Sequence, residues 1–398
     1  MRRAAIVSPA RTPIGSFGGA FRDMEAADLA AAVIKAVIER SGLDPNQIDD
    51  VAFAQSYANS EAPCIGRWAA LHAGLPIATP GFQVDRRCGS GLTAIAIAAM
   101  EVQTGVADVV LAGGVESMSN VERYTTASRW GQRGGSILLH DRLDRGRERS
   151  QPEWRFGPIS GMIETAENLA RKYSIERIEA DLFSAQSQNR AAVASAMGSF
   201  THELVALDVP QRGGDPVTVA VDEGIRPDTT PEVLSRLRPV MPGGVVTAGN
   251  AAQQNDAASA CLVVAEDMLG PLGLEPLAFL VGWSAAGCEP AEMGLGPVPA
   301  VAKLFARTGH TLDDMDLVEV NEAFAVQVLA VLREWNWHDP DKLNVNGSGI
   351  SLGHPVGATG CRIMTSVLHE LNRRGGRYAL ETMCVGGGQG VAALFESA

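Results

Sequence analysis

Residues 88–114 read CGSGLTAIAIAAMEVQTGVADVVLAGG. From Gly91 to Thr104 only Glu101 is charged, and small or apolar residues fall on every side. That pattern predicts a helix buried nearly all round, opened by the glycine-rich turn at 88–91. Residues 107–112 (ADVVLA) follow as a strand running into Gly113-Gly114. A buried helix leading into a strand belongs to a layered α/β unit.

Working outward, the same order recurs near the C-terminus. A glycine-rich loop at 353–360 opens a helix to about Asn372, and a strand at 377–382 leads to Gly386-Gly387-Gly388. The spacing from Cys88 to Gly113 is 25 residues and from Thr359 to Gly386 about 27, which suggests two similar halves. Other strands are expected at 3–8 (stopped by Pro9), 316–320, 343–346 and 390–396. Helices are expected at 25–41, with Gly42 as the stop, and from Glu322 to Trp335. The alternation predicts an α/β fold with a largely parallel sheet. Between about 120 and 250 the character changes. Residues 129–155 hold seven arginines (129, 133, 142, 145, 147, 149, 155) against four acidic residues. Helices at 162–173 and 176–197 follow, so this region reads as an insertion.

The chain has 398 residues, 46% hydrophobic and 20% charged, which is ordinary globular composition. Its net charge of −13 disfavours nucleic acid and anionic membranes as partners. No apolar run approaches the ~18 residues of a membrane span, and the N-terminus does not read as a signal peptide. Cysteines 64, 88, 261, 288, 361 and 384 include no CxxC pair, so neither zinc nor a redox dithiol is expected. Six scattered thiols suit a reducing cytoplasm.

Gly347-Ser348-Gly349-Ile350-Ser351-Leu352-Gly353 fails the dinucleotide fingerprint by one residue, and no GxSxG elbow or Walker loop occurs. Cys88 stands at a helix N-terminus, where the dipole favours a thiolate, and its flanking glycines admit a substrate. Cys384 closes a strand before three glycines, at the edge where α/β sheets build sites. His354 lies between Gly353 and Pro355 before a helix, a positioned imidazole. Asn321 ends a strand and opens a helix, and reads equally as an N-cap or a site residue. Cys64, Cys261, Cys288 and Cys361 read as packing residues.

In order along the chain stand Arg11-Thr12-Pro13-Ile14-Gly15, Cys88-Gly89-Ser90-Gly91, Ala112-Gly113-Gly114-Val115-Glu116-Ser117-Met118, Thr165-Ala166-Glu167-Asn168, Asn321-Glu322-Ala323-Phe324, Gly353-His354-Pro355 and Cys384-Val385-Gly386-Gly387-Gly388-Gln389-Gly390. With these motifs the chain resembles the thiolases (acetyl-CoA C-acyltransferases, acetyl-CoA acetyltransferases) along essentially its full length. The resemblance implies a thiolase-like fold: two αβαβα half-domains in a five-layered core, with an inserted loop domain. The implied boundaries are 1–120 plus 248–270 for the N-terminal half, 121–247 for the loop domain with its coenzyme A and oligomer contacts, and 271–398 for the C-terminal half.

It also implies roles. Cys88 would be the acylated nucleophile and His354 its activator. Cys384 would move a proton at the substrate α-carbon. Asn321 would orient a water, and the backbone N–H groups of Cys88 and Gly386 would form an oxyanion hole. The implied reaction is reversible cleavage of 3-ketoacyl-CoA, in a degradative β-oxidation or a biosynthetic direction. Coenzyme A would be a co-substrate, with no permanently bound cofactor or metal. The implied assembly is a homodimer or homotetramer, in the cytoplasm.

Arg226 and the basic stretch 129–155 would suit the coenzyme A phosphates, and the same arginines would equally suit a solvated or inter-subunit face. Met162, Ala252 and Phe324 would line the acyl and pantetheine pocket. The sequence departs from the family pattern at three places. Asp85 replaces the usual Asn three residues before the nucleophile. Gly161-Met162-Ile163 replaces the His-Met-Gly of short-chain members. Ala252 replaces a pantetheine-contacting Ser. A decarboxylating ketoacyl synthase shares the fold, but the second cysteine, Cys384, argues against it. The full set Cys88, His354, Cys384 and Asn321 argues against a non-catalytic lipid carrier.

Overall fold

The computed structural model describes residues 2–211, 213–337 and 339–398. Nine strands form the path of its main sheet: β1 (Ala4–Arg11), β2 (Asp50–Ala54), β3 (Phe82–Val84), β4 (Val109–Ser117), β5 (Asn255–Ala265), β6 (Ala278–Gly287), β7 (Leu317–Val320), β8 (Tyr378–Val385) and β9 (Gln389–Ser397). Their order is β7-β8-β9-β6-β1-β5-β4-β2-β3, and the short pair Gly15–Ser16 adds to β5. The helices that matter here are α1 (Ala26–Ser41), α2 (Ile65–His72), α3 (Ser90–Thr104), α4 (Arg142–Glu148), α5 (Met162–Tyr173), α6 (Arg177–Ala196), α7 (Pro297–Thr308), α8 (Ala325–Trp335) and α9 (Thr359–Arg374).

The two halves share one plan. The unit β1-α1-β2-α3-β4-β5 is matched by β6-α7-β7-α9-β8-β9, with the same neighbour order and the same strand senses. The units join where β1 pairs antiparallel with β6. Strand residues alternate between two apolar faces. Val110, Ala112, Cys261, Val263, Ala379, Met383 and Phe395 pack with α3 and α9 in a central layer. Leu111, Leu262 and Val264 face α1 and α2, while Leu380, Ala392 and Leu394 face α5, α7 and α8. The sheet therefore folds over the α3–α9 pair, giving helix, sheet, helix, sheet and helix layers. α5 and α6, from the segment between β4 and β5, pack on the outer face of the second half.

Gly360 lets α3 and α9 touch at their N-termini, because a Cβ there would lie 2.2 Å from the Leu92 nitrogen. Such a contact is impossible for any larger residue, so the two buried helix starts are held backbone to backbone.

Four expectations need correction. The sheet is mixed: only β7–β8, β4–β2 and β2–β3 are parallel. Pro9 does not stop β1, because the register to β5 slips between Val7 and Ala10 and Ser8 takes a φ of 49°. That irregularity accommodates the missing N–H. Gly113 and Gly114 lie inside β4 rather than at its end, and a Cβ on Gly114 would meet the Gly357 carbonyl at 2.1 Å. Residues 343–346 make only isolated bridges, Val318 with Leu343 and Val345 with Gly347. Among the described residues no helix is long and apolar enough to cross a membrane.

Candidate active site

Cys88 sits in a single tight turn (Arg87–Gly89) that leads directly into α3. Arg87 before it has φ 48°, a left-handed conformation that a bulky side chain adopts at a cost. The strained turn presents the half-buried thiol to a cavity of about 470 Å³. The backbone N–H groups of Gly386 and of Cys88 itself point at the sulfur. Burial nevertheless pushes the thiol above its ordinary range; those N–H groups, Arg87 and Arg147 only oppose the rise. Burial thus works against the thiolate that the helix N-terminus favours. The thiol needs a base.

His354 lines the same cavity. Its backbone N–H donates to Asn255 Oδ1 at 2.9 Å, which anchors the loop to β5. Its ring Nδ1 lies 2.7 Å from Thr359 Oγ1, at the first residue of α9. Its Nε2 is buried and has no protein partner. Burial, helped by Arg362 and Arg147, pushes the imidazole down to about 3, so the ring is neutral. A neutral ring with a bare Nε2 can accept a proton.

Asn321 follows β7, fully buried, with its Nδ2 3.5 Å from His354 Nδ1 and its Oδ1 without a protein partner. Cys384 closes β8, opposite Gly390 of β9. It is fully buried, and it is Gly386, two residues on, rather than Cys384 that lines the cavity. Burial pushes its thiol well up, and the nearby Cys88 and Cys288 add to the rise. The candidate catalytic set thus converges at one end of the sheet, with Asn321 and Cys384 just beneath the surface that Cys88, His354 and Gly386 form.

Met162, Ala252 and Phe324 all line the cavity, together with Tyr57, Met118, Ile163, Met293 and Val356. Arg226 does not line it. Arg226 is exposed, two residues beyond Gly224, whose carbonyl accepts from the cavity residue Gln253 at 3.0 Å. A larger cavity of about 620 Å³, around Pro9, Arg40 and His369, contains no thiol and lies apart from this set.

Several residues missed by sequence reasoning hold the site. Glu116 of β4 accepts the backbone N–H groups of Ser56, Tyr57 and Gly357 at 2.9–3.2 Å, tying the His354 loop to the end of β2. Glu322 accepts from Ser187, Asn344 and the Ile350 N–H, fixing the loop that precedes His354. Both were visible inside quoted motifs. Their work, gathering backbone donors from distant segments, has no local signal. Arg147, singled out in the sequence only as one of the basic stretch, lines the cavity, and its charge reaches Cys88, His354 and Tyr57.

With this geometry in view, the relatives are informative. The family models for "Thiolase, N-terminal domain" and "Thiolase, C-terminal domain" match residues 4–267 and 274–397. An acetyl-CoA acetyltransferase of Chromobacterium violaceum is 45% identical over 98% of this chain and 99% of its own. A probable acetyl-CoA acyltransferase of Staphylococcus epidermidis is 42% identical over 99% of this chain and 98% of its own. Among solved structures, the Bacillus anthracis acetyl-CoA acetyltransferase superposes with a TM-score of 0.96 at 40% identity, covering 100% of this chain and 99% of that one. Human mitochondrial 3-ketoacyl-CoA thiolase in complex with CoA superposes at 0.93, also at 40% identity, covering 100% and 98%. The chain belongs to the thiolase family, whose members are acyltransferases.

Proposed function

We propose that this enzyme cleaves 3-ketoacyl-CoA reversibly, with coenzyme A as co-substrate and no permanently bound cofactor. The observation that carries the reading is that Cys88 and His354, whose Nε2 has no protein partner, line one cavity, with two backbone N–H groups aimed at the sulfur. His354 Nε2 takes the Cys88 proton as the sulfur attacks the 3-keto carbon. The C2–C3 bond then breaks, leaving an acyl group on Cys88 and the electron pair on an acetyl-CoA enolate. The Cys384 thiol protonates C2, and acetyl-CoA leaves. Coenzyme A, after losing its thiol proton to the site, attacks the acyl-cysteine and regenerates Cys88 with the shortened acyl-CoA.

Negative charge develops on two oxygens in this sequence. The Cys88 and Gly386 N–H groups suit the acyl-cysteine oxygen, while His354 and a water on Asn321 suit the thioester enolate. Removing one such donor typically costs roughly 2.7–4 kcal/mol of barrier. Arg226, at the margin of the Gln253 wall, and Met162, Ala252 and Phe324 on the wall itself would serve coenzyme A and its pantetheine arm.

The reading extends to a cytoplasmic enzyme of fatty acid β-oxidation type that works as a homodimer or homotetramer, with a loop domain at 121–247 inserted in its N-terminal half. Self-association is supported by β3, which has one sheet neighbour and an open edge, and by exposed Trp68, Leu71 and Ile77 nearby in sequence. Acetyl transfer from acetoacetyl-CoA to free coenzyme A, followed as the ultraviolet absorbance of the substrate enolate disappears, tests the function. No turnover by the purified protein against any 3-ketoacyl-CoA would reject it.

A further inference from the structure

Beside the catalytic cavity lies a second chamber of about 430 Å³, lined by Arg87, Arg142, Arg145 and Arg149 with Ser56, Tyr57, Tyr124, Gly146 and one acid, Asp85. The two cavities share a wall made of Tyr57, Arg87 and Gly146. At Gly146 the wall carries no side chain of its own, and a Cβ there would be in contact with the Tyr57 ring at 3.5 Å and Arg87 Nη1 at 3.6 Å. Arg142 is paired with Glu122 at 3.0 Å, and Arg145 donates to His140 Nδ1 at 3.2 Å. Among the described residues no carboxylate lies within ion-pair distance of Arg87, Arg145 or Arg149. Three of the four guanidinium groups thus face the chamber without an ion-pair partner, a locally positive site in a chain of net charge −13 that suits an anion.

We propose that this chamber receives a carboxylate at the far end of the acyl chain, so that the preferred substrate is an ω-carboxy-3-ketoacyl-CoA. The inference rests on the thiolase reading of the site and names its substrate class. The apolar residues around Cys88 (Tyr57, Met118, Leu143 and Val356) carry the methylene part of the chain. Arg147, which lines the catalytic cavity, is held loosely, by Asp144 at 3.5 Å and by the Gln254 side chain at 3.2 Å. It offers the entering carboxylate a first counter-charge. Guanidinium groups suit this task because they stay charged and bind carboxylate through two parallel donors. The phosphates of coenzyme A are the other anionic candidates. They are disfavoured here because the chamber adjoins the Cys88 cavity at Tyr57, Arg87 and Gly146, whereas Arg226 adjoins the wall carrying Ala252 and Gln253.

The test compares kcat/KM for thiolysis of ω-carboxy and neutral 3-ketoacyl-CoAs matched in chain length. The expected preference for the carboxylate is about tenfold or more, the range of one charge-assisted hydrogen bond. Arg145→Gln combined with Arg149→Gln should bring that ratio toward one, mainly through KM for the carboxylate substrates. Turnover of the neutral series checks that the variant is folded. Gly146→Val, which thickens the wall, should also lower the ratio. A wild-type ratio at or below one overturns the proposal while leaving the thiolase reading intact. An equal rise of KM in the double variant for every acyl-CoA and for coenzyme A overturns it in favour of a phosphate site. If no 3-ketoacyl-CoA is cleaved at all, the functional reading fails and takes this one with it.

Discussion

Thr359 Oγ1 lies 2.7 Å from His354 Nδ1 and also 3.0 Å from the Pro355 carbonyl oxygen. A hydroxyl has one proton, and the carbonyl can only accept. The hydroxyl therefore donates to Pro355 and accepts from Nδ1–H. This favours the His354 tautomer with its free lone pair on Nε2, an atom buried without a protein partner. Thr359→Val keeps the shape and removes the acceptor. It should lower kcat at least tenfold with little change in KM, while Thr359→Ser restores most of the rate. An unchanged kcat in the valine variant would show that the threonine only packs.

Cys88 is expected to be the acylated residue. Mass spectrometry after incubation with acetyl-CoA should place the acetyl group on Cys88, and Cys88→Ser should abolish both label and turnover. A label on Cys384 or Cys361 at full activity would reject the assignment. Because burial holds the thiol up and His354 neutral, alkylation of the resting enzyme by iodoacetamide should keep rising with pH above 8. A plateau near neutrality would reveal a resting thiolate–imidazolium pair instead.

Cys384 is fully buried two residues before the cavity residue Gly386, so its part in the chemistry has to be shown by separating the two half-reactions. Cys384→Ala should still form acyl-enzyme on Cys88 from acetyl-CoA. Thiolysis of a 3-ketoacyl-CoA, which needs the proton at C2, should fall by orders of magnitude. Thiolysis within a few-fold of the parent would remove Cys384 from proton transfer.

Much of this site was legible before the structure because its chemistry sits in short local motifs. Cys88, His354, Asn321 and Cys384 each stand at the junction of an element and a glycine-rich turn, which periodicity and turn residues reveal. What was illegible is nonlocal. The pairing of β1 with β5 spans some 250 residues, and β1 meets β6 across the whole first half, so the antiparallel middle of the sheet leaves no pattern in either strand. Reading every strand–helix–strand run as a parallel crossover gave the edges correctly and the middle wrongly. The same holds for Glu116. Its sequence neighbours say nothing of the three backbone donors it collects from 56, 57 and 357.

Stability should pass through a maximum in mildly acidic to neutral solution. His354 is held down to about 3 in the folded chain, so folding favours its neutral form. That contribution is present above pH 6.5 and is lost as pH falls toward 3. Glu116 is pushed up to about 8 by burial, against its three N–H donors. Its contribution is complete below pH 4.5 and is lost as pH rises through 8. Tm followed by calorimetry should decline on both sides, and Glu116→Gln should flatten the alkaline limb while lowering Tm overall. An alkaline limb of unchanged slope in that variant would assign the decline to another group.

The acyl pocket should accept chains longer than acetoacetyl. Ala252 lines the cavity where short-chain relatives are expected to present a hydroxyl to the pantetheine arm. Losing such a bond costs roughly 0.5–1.5 kcal/mol, enough to weaken the arm several-fold. Gly161 has no side chain, and a Cβ there would meet only the Arg147 Cβ at 3.9 Å, so its space is open. Each methylene buried in that space returns about 0.8 kcal/mol, so one or two extra carbons offset the lost bond. Ile163 works against this, since it lines the same cavity and takes back part of the volume. The balance is measured by kcat/KM for thiolysis over a series of 3-ketoacyl-CoAs, which should rise beyond four carbons. Ile163→Gly should extend the rise to longer chains. A steep preference for the four-carbon substrate, relieved in Ile163→Gly, would show that this isoleucine closes the pocket and that Gly161 opens nothing.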